Sequence, residues 1–154
     1  MATLYSNQKT KWSQNVPSEK IDTNELAGRM RIAFADITLA SAQIGDVVEL
    51  VNLPNGARII DGYLTNAILG SSTTLSVGNA AYKNAAGTVV AAAAASYLAA
   101  TSTSSAGRTD AFATIALGAG SVVDANENGL PITATLAGGA ASGVVQIAVR
   151  YVVD

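Results

Sequence analysis

Residues 46–69 read DVVELVNLPNGARIIDGYLTNAIL. Two long strands joined at a tight corner account for the pattern. Val47, Val48, Leu50, Val51 and Leu53 make a run apolar on both faces, as expected of a strand buried inside a sandwich. Pro54-Asn55-Gly56 supplies the reversal, since Pro presets φ and Gly accepts the positive φ a turn needs. The chain resumes through Ile59, Ile60, Tyr63, Leu64, Ile68 and Leu69. Asp61-Gly62 inside this second run predicts a bulge or a close backbone approach.

Working outward, Met30, Ile32 and Phe34 alternate with Arg31 and Ala33, and Ile37 and Leu39 continue out of phase, which predicts a bulge near Ala35-Asp36. Downstream, Leu75 and Val77 alternate with Thr74 and Ser76. Val89 to Ala100, VVAAAAASYLAA, is the best helix-forming stretch of the chain, because Ala costs least in a helix. A short helix or ordered loop is expected there, crossing from one half of the fold to the other. Strands return at Ala111 to Leu117, with a short piece at Ser121-Val122-Val123. Ile132, Ala134 and Leu136 alternate with Thr133 and Thr135, and Val145, Ile147, Val149 and Tyr151 alternate with Gln146, Ala148 and Arg150. The last two runs flank AGGAASG, Ala137 to Gly143, a hairpin loop. About eight strands with no long amphipathic helix between them predict an all-β antiparallel sandwich of the jelly-roll type.

A chain of 154 residues is one domain's worth, large enough to bury about 70% of its unfolded surface. It contains neither Cys nor His. That removes disulfides, thiol nucleophiles, the usual zinc ligands and the Ser-His-Asp triad together. Charged residues are only 13% and the net charge is -2, which argues against nucleic-acid binding. No apolar run approaches the roughly 20 residues of a membrane-spanning helix, and the polar N-terminus is not a secretory signal. Ala and Gly are abundant and aromatics few, so the core is thin and the surfaces flat and weakly polar. Such surfaces suit packing against copies or another protein, and equally a bland monomer.

Residues 1–28 differ from the rest: no strand or helix period runs through them. Lys9, Lys11 and Lys20 stand among Glu19, Asp22 and Glu25, with Trp12, the protein's single Trp, as an isolated aromatic. The expected organisation is an extended N-terminal arm over 1–28 and one sandwich domain over 29–154. Such a terminus is either a solvated tail or an arm that orders on a partner, and the single Trp favours the arm, with Trp12 as anchor and Lys9 and Lys11 pairing with carboxylates. Arm and adjoining Arg29 and Arg31 are cationic, the remaining body anionic.

One motif matches a metal loop in spelling only. Asp124-Ala125-Asn126-Glu127-Asn128-Gly129 fits the first half of an EF-hand calcium loop, with ligands at Asp124, Asn126 and Asn128. The bidentate Glu is replaced by Thr135 and no helix flanks the loop, so a polar turn is expected and no metal or cofactor. No phosphate-binding glycine loop, dinucleotide fingerprint or nucleophile elbow occurs. Asp36, Asp46, Glu49 and Asp61 are placed as ordinary turn and strand carboxylates, not as a hydrolytic pair, so no enzyme is expected.

The order of segments carries a resemblance: a polar arm, ITLASAQIGDVVELVNLPNGARIIDGYL, TTLSVGNAAY, an Ala-rich crossover and PITATLAGGAASGVVQIAVRYVVD. It resembles the small jelly-roll virion proteins of tailed bacteriophages, particularly capsid decoration (cement) proteins. The likeness lies in the LPNGARIIDG corner, the LSVG strand and the terminal hairpin. It implies a homotrimer on the outer surface of the capsid, bridging major capsid protein subunits, with no nucleic acid or membrane as partner. Other phage parts, such as a head fibre base or tail protein, and a receptor- or glycan-binding sandwich remain as alternatives.

Overall fold

The structure is a computed structural model, which describes residues 4, 6–13, 21 and 25–153, the side chains at 12 and 13 excepted. A short helix, α1 (Asn7–Ser13), precedes the strands β1 (Met30–Ala42), β2 (Val47–Leu53), β3 (Arg58–Asn66), β4 (Thr74–Asn79), β5 (Tyr82–Lys83), β6 (Val89–Val90), β7 (Ala93–Ser102), β8 (Gly107–Ala111), β9 (Leu130–Ala137) and β10 (Ala141–Val152). Two four-stranded sheets have the orders β1-β10-β3-β8 and β2-β9-β4-β7, with β5-β6 as a separate small hairpin. Every strand pair is antiparallel. Setting the small hairpin aside, first strand pairs with last and second with next-to-last, the double Greek key of a jelly roll.

The core lies between the sheets. Leu64, Ile147, Val145 and Val149 face Ile132, Leu136, Leu75 and Val77, all fully or nearly fully buried. These residues occupy alternate positions on their strands, so the period of two in the sequence becomes one buried face per sheet.

The central stretch folds as a corner between sheets. Gly56 adopts φ 75°, the Ala57 amide donates to the Pro54 carbonyl at 3.2 Å and the Gly56 amide to Val123 at 2.9 Å. β2, however, is an edge strand, with Val47 exposed, and is not buried on both faces. Its unbroken apolar run has another cause. The register slips between Glu49 and Val51, and this bulge lets Val48, Leu50 and Val51 all pack on the core. In β3 both expected features occur. Asp61 pairs with Arg150 and Ile59 with Tyr151, leaving Ile60 as the bulged residue. One position beyond Asp61, a Cβ at Gly62 would lie 2.8 Å from the Ala148 carbonyl oxygen and 2.9 Å from the Phe112 ring.

Other expectations are corrected. β1 pairs with β10 without interruption from Met30 to Leu39, so no bulge lies at Ala35-Asp36. Ala33, Ala35, Ile37 and Leu39 face the core while Ile32 and Phe34 face outward, and this produces the change of phase. The Ala-rich stretch is no helix or loop crossover but strands β6 and β7. Ala's intrinsic helix preference is a fraction of a kcal/mol per residue relative to most alternatives; it yields to pairing with the edge of β4 and to packing of Leu98 and Tyr97 on the core. Ala111 to Leu117 is not a strand, because β8 ends at Ala111. Phe112 (φ 55°) turns into the core, and Ile115–Leu117 forms a 3-10 turn capped by Thr114. Ser121 to Val123 contributes only an isolated bridge, Arg58 to Val122. The arm, expected to be extended, holds a helical segment in α1, where the Ser6 hydroxyl accepts from the Lys9 amide at 3.1 Å.

Candidate interaction surface

The outer face of the β1-β10-β3-β8 sheet presents Phe34 and Tyr63 together with Arg108 and Arg150. Residues directly opposite one another on antiparallel strands project from the same face, so the register defines rows. One row runs Ile32, Arg150, Asp61; the next runs Phe34, Ala148, Tyr63, Asp110; a third runs Asp36, Gln146, Thr65, Arg108.

Within these rows two arginines meet carboxylates. Arg150 donates to both carboxylate oxygens of Asp61 through Nε and Nη2. The hydrogen bond and the charge of Asp61 hold the Arg150 guanidinium still more firmly protonated than usual. The Arg108 guanidinium lies 3.8 Å from the centre of the Tyr63 ring and 3.7 Å from Asp110. A shallow cavity of about 260 Å³ opens among Asp61, Arg108, Asp110 and Arg150. Beside this cluster, at the sheet edge, runs an apolar ridge: Met30, Ile32 and Phe34 are 58%, 63% and 57% exposed. Aromatic and Arg side chains beside an apolar ridge are the composition of protein interface centres.

The residues expected to bind a partner are distributed differently. Lys9 lies exposed on α1. Lys11 turns toward the body, its Nζ 3.4 Å from Oε2 of Glu25, whose Oε1 is 3.2 Å from Nη2 of Arg58. The Trp12 side chain lies outside the described residues. No described contact brings Lys9 to the outer-face cluster.

The Asp124–Gly129 segment is a turn. Asp124 Oδ1 accepts from the Ala85 amide at 3.0 Å and Asn126 Oδ1 from the Asn128 amide at 3.1 Å. Gly129, at φ 77°, leaves no room for a Cβ against the Leu53 carbonyl. Among the described residues no group of three His, Cys, Asp or Glu side chains converges. An open groove of about 610 Å³ runs beside this turn, past Glu49, Asn52, Tyr82 and Lys83. Of the carboxylates weighed as catalytic, Asp61 is held by Arg150, and Asp46 accepts from the Gln43 amide at 2.7 Å.

Sequence reasoning does not single out the ridge and cluster. Their one signal is the phase change after Phe34, which marks two apolar side chains pointing away from the core. Arg108 and Tyr63 meet only through the β3–β8 pairing, and nothing local announces a contact so far apart along the chain.

No protein-family model matches the chain, and no curated protein sequence matches it. Solved structures do. The chain is similar to one in the capsid asymmetric unit of cyanophage Pam1, with TM-score 0.60 and 22% identity over 82% of this chain and 86% of that one. A chain in the capsid of Ralstonia phage GP4 gives TM-score 0.60 and 24% identity, with the same coverage of 82% and 86%. A third, from the acid-stable capsid of Helicobacter pylori bacteriophage KHP30, gives TM-score 0.51 and 18% identity over 80% and 87% of the two chains. At these identities the likeness is one of fold: the sandwich is an architecture found in chains of phage capsids.

Proposed function

We propose that the chain is a structural protein of a bacteriophage virion, and that it decorates the outer surface of the capsid by bridging major capsid protein subunits. The observation that carries this reading is the shared sandwich, which extends over 82% of this chain in two phage capsid structures. Two further features support it. The outer sheet face presents interface-type side chains, with Arg150 paired to Asp61 and Arg108 beside Asp110. A decoration protein needs a rigid scaffold with broad contact surfaces, and an eight-strand sandwich with a thin aliphatic core is one. Closure as a homotrimer fits the same reading, since oligomers of identical chains close by rotation.

The test is stoichiometry. In purified particles, gel densitometry should give a copy number comparable to that of the major capsid protein. A few copies per particle would instead indicate a tail or fibre component, and absence from particles would overturn the reading. Sedimentation of the isolated protein as a monomer at micromolar concentration would overturn the trimer alone.

A further inference from the structure

The sandwich has four sheet edges, and three of them are guarded. β2 carries Glu49 and a bulge at Leu50. β7 slips register against β4 twice. β8 is short and bears Arg108 and Asp110. These are the devices by which proteins prevent strand-to-strand association. Over its first ten residues β1 is long and has no bulge, no Lys and no Pro. It pairs regularly with β10 from Met30 to Leu39 and ends its sheet. Its two charges there, Arg31 and Asp36, stand five residues apart and so on opposite faces. Among the described residues no other backbone hydrogen bond reaches Met30 to Leu39. The free edge also carries the exposed ridge of Met30, Ile32 and Phe34.

We propose that this edge pairs with β1 of a second copy, antiparallel about a two-fold axis at Ile32, joining two sheets into one. Self-complementarity selects the partner and the register. With Ile32 opposite itself, Met30 of each copy lies opposite Phe34 of the other, so all three apolar side chains meet apolar side chains. Arg29 of each copy then falls opposite Ala35, Arg31 opposite Ala33 and Asp36 opposite Gly28 of the other, so no like charges meet across the ladder. Centring on Ala33 sets Met30 against Asp36, and centring on Phe34 sets Ile32 against Asp36; both bury a carboxylate against an apolar side chain. Shifting by one residue turns the ridge to the wrong face.

The contact is isologous, the same patch on both copies, whereas a ring of three uses a heterologous contact. The pairing is therefore additional to the trimer proposed above and joins one assembly to the next. It does not depend on which shell site the protein occupies.

The absence of cysteine makes the test direct. Directly opposite Cβ atoms lie about 4.5–5.5 Å apart, close to disulfide reach. Ile32→Cys in the full chain, mildly oxidised at high micromolar concentration, should form a disulfide-linked dimer on a non-reducing gel. Phe34→Cys should not, because its two copies are offset by about 13 Å along the strands. Phe34→Lys should leave the circular dichroism and melting temperature of the protein unchanged, since the side chain is exposed, yet remove the two-fold association in sedimentation. No crosslink in Ile32→Cys, stronger crosslinking in Phe34→Cys than in Ile32→Cys, or unchanged association of Phe34→Lys would each overturn the proposal. Stoichiometry in particles is read separately. Disulfide dimers of Ile32→Cys from a protein absent from particles would sink the decoration reading alone, and a decorating protein without them would sink the pairing alone.

Discussion

Oε1 of Glu25 lies 3.2 Å from Nη2 of Arg58, an ion pair that ties the segment ahead of the sandwich to the start of β3. The two side chains are only 12% and 24% exposed, so the pair is better shielded than an ordinary surface bridge. Arg58 also donates to the Gly120 carbonyl at 2.9 Å, and this fixes the guanidinium that receives the carboxylate. The same carboxylate meets Lys11, so one acidic residue holds α1 and β3 together.

Glu25→Gln should therefore cost more than a typical exposed pair and less than a fully buried one, about 1–2 kcal/mol. Urea unfolding should show a lower midpoint with the slope unchanged. A midpoint identical to that of the parent protein would mean that the bridge contributes nothing to stability.

Gly78 is buried in β4, and a Cβ there would collide with the Ala93 carbonyl oxygen of β7. The obstacle is backbone, which cannot swing aside as a side chain can. Gly78→Ala should destabilise by about 1–3 kcal/mol or more, and the loss should appear first as exchange of the β7 amides, because β7 is the strand pushed off. Unchanged hydrogen exchange across Ala93 to Ser102 would contradict this.

These particulars show how much of the molecule is legible in its sequence. The corner at Pro54 to Gly56, the bulge beside Asp61, the close approach at Gly62 and the terminal hairpin are local: each follows from a turn residue or a period of two. The features that escape sequence reasoning are tertiary. Ala91 to Ala95 favour a helix in isolation, and only the partner strand β4 makes a strand of β7. Val47 to Leu53 looks doubly buried because a one-residue bulge mimics a continuous apolar run. The outward ridge shows only as a phase change, and separating a bulge from a strand with apolar residues on both faces requires the register of its neighbour.

Tyr97 stacks on Phe112 with ring centres 4.5 Å apart. Burial, and then the neighbouring Tyr82, pushes its phenol from 10.0 up to about 12. The folded state thus holds the proton more tightly than the unfolded chain, so this contribution is complete below pH 10. It is lost as pH rises from the unfolded value toward the folded one, about 10 to 12. Because the residue is only partly buried, the loss should be on the order of 1 kcal/mol. Tyr97→Phe should show a flatter decline of stability over this window in denaturant titrations. An identical decline in both proteins would place the titration elsewhere.

The Asp124 loop uses its side chains on backbone amides, so chelator should leave the melting temperature unchanged. A calcium site filled at 100 times its dissociation constant would contribute about 2.7 kcal/mol, a shift of several degrees that calorimetry would register.

The final expectation concerns residues 1–28 as an attachment arm. They hold few apolar residues, and the side-chain contacts described between them and the body run through Glu25, so removing them should leave the sandwich core intact. A chain starting at Met30 should fold, with a melting temperature lower by only a few degrees, the share carried by the Glu25 bridge. Its binding to undecorated capsids should fall steeply if the arm grips the shell, because an ordered segment adds area that many copies then multiply through avidity. Glu25→Gln separates two explanations of such a loss. It loosens the arm from the body while keeping Lys9, Lys11 and Trp12, so capsid binding should persist if those residues make the contact. If Glu25→Gln loses binding as completely as the truncation, the arm acts by being held against β3. If the truncated chain binds with full affinity, attachment belongs to the sandwich, and the outer face bearing Tyr63, Arg108 and Arg150 becomes the surface to mutate.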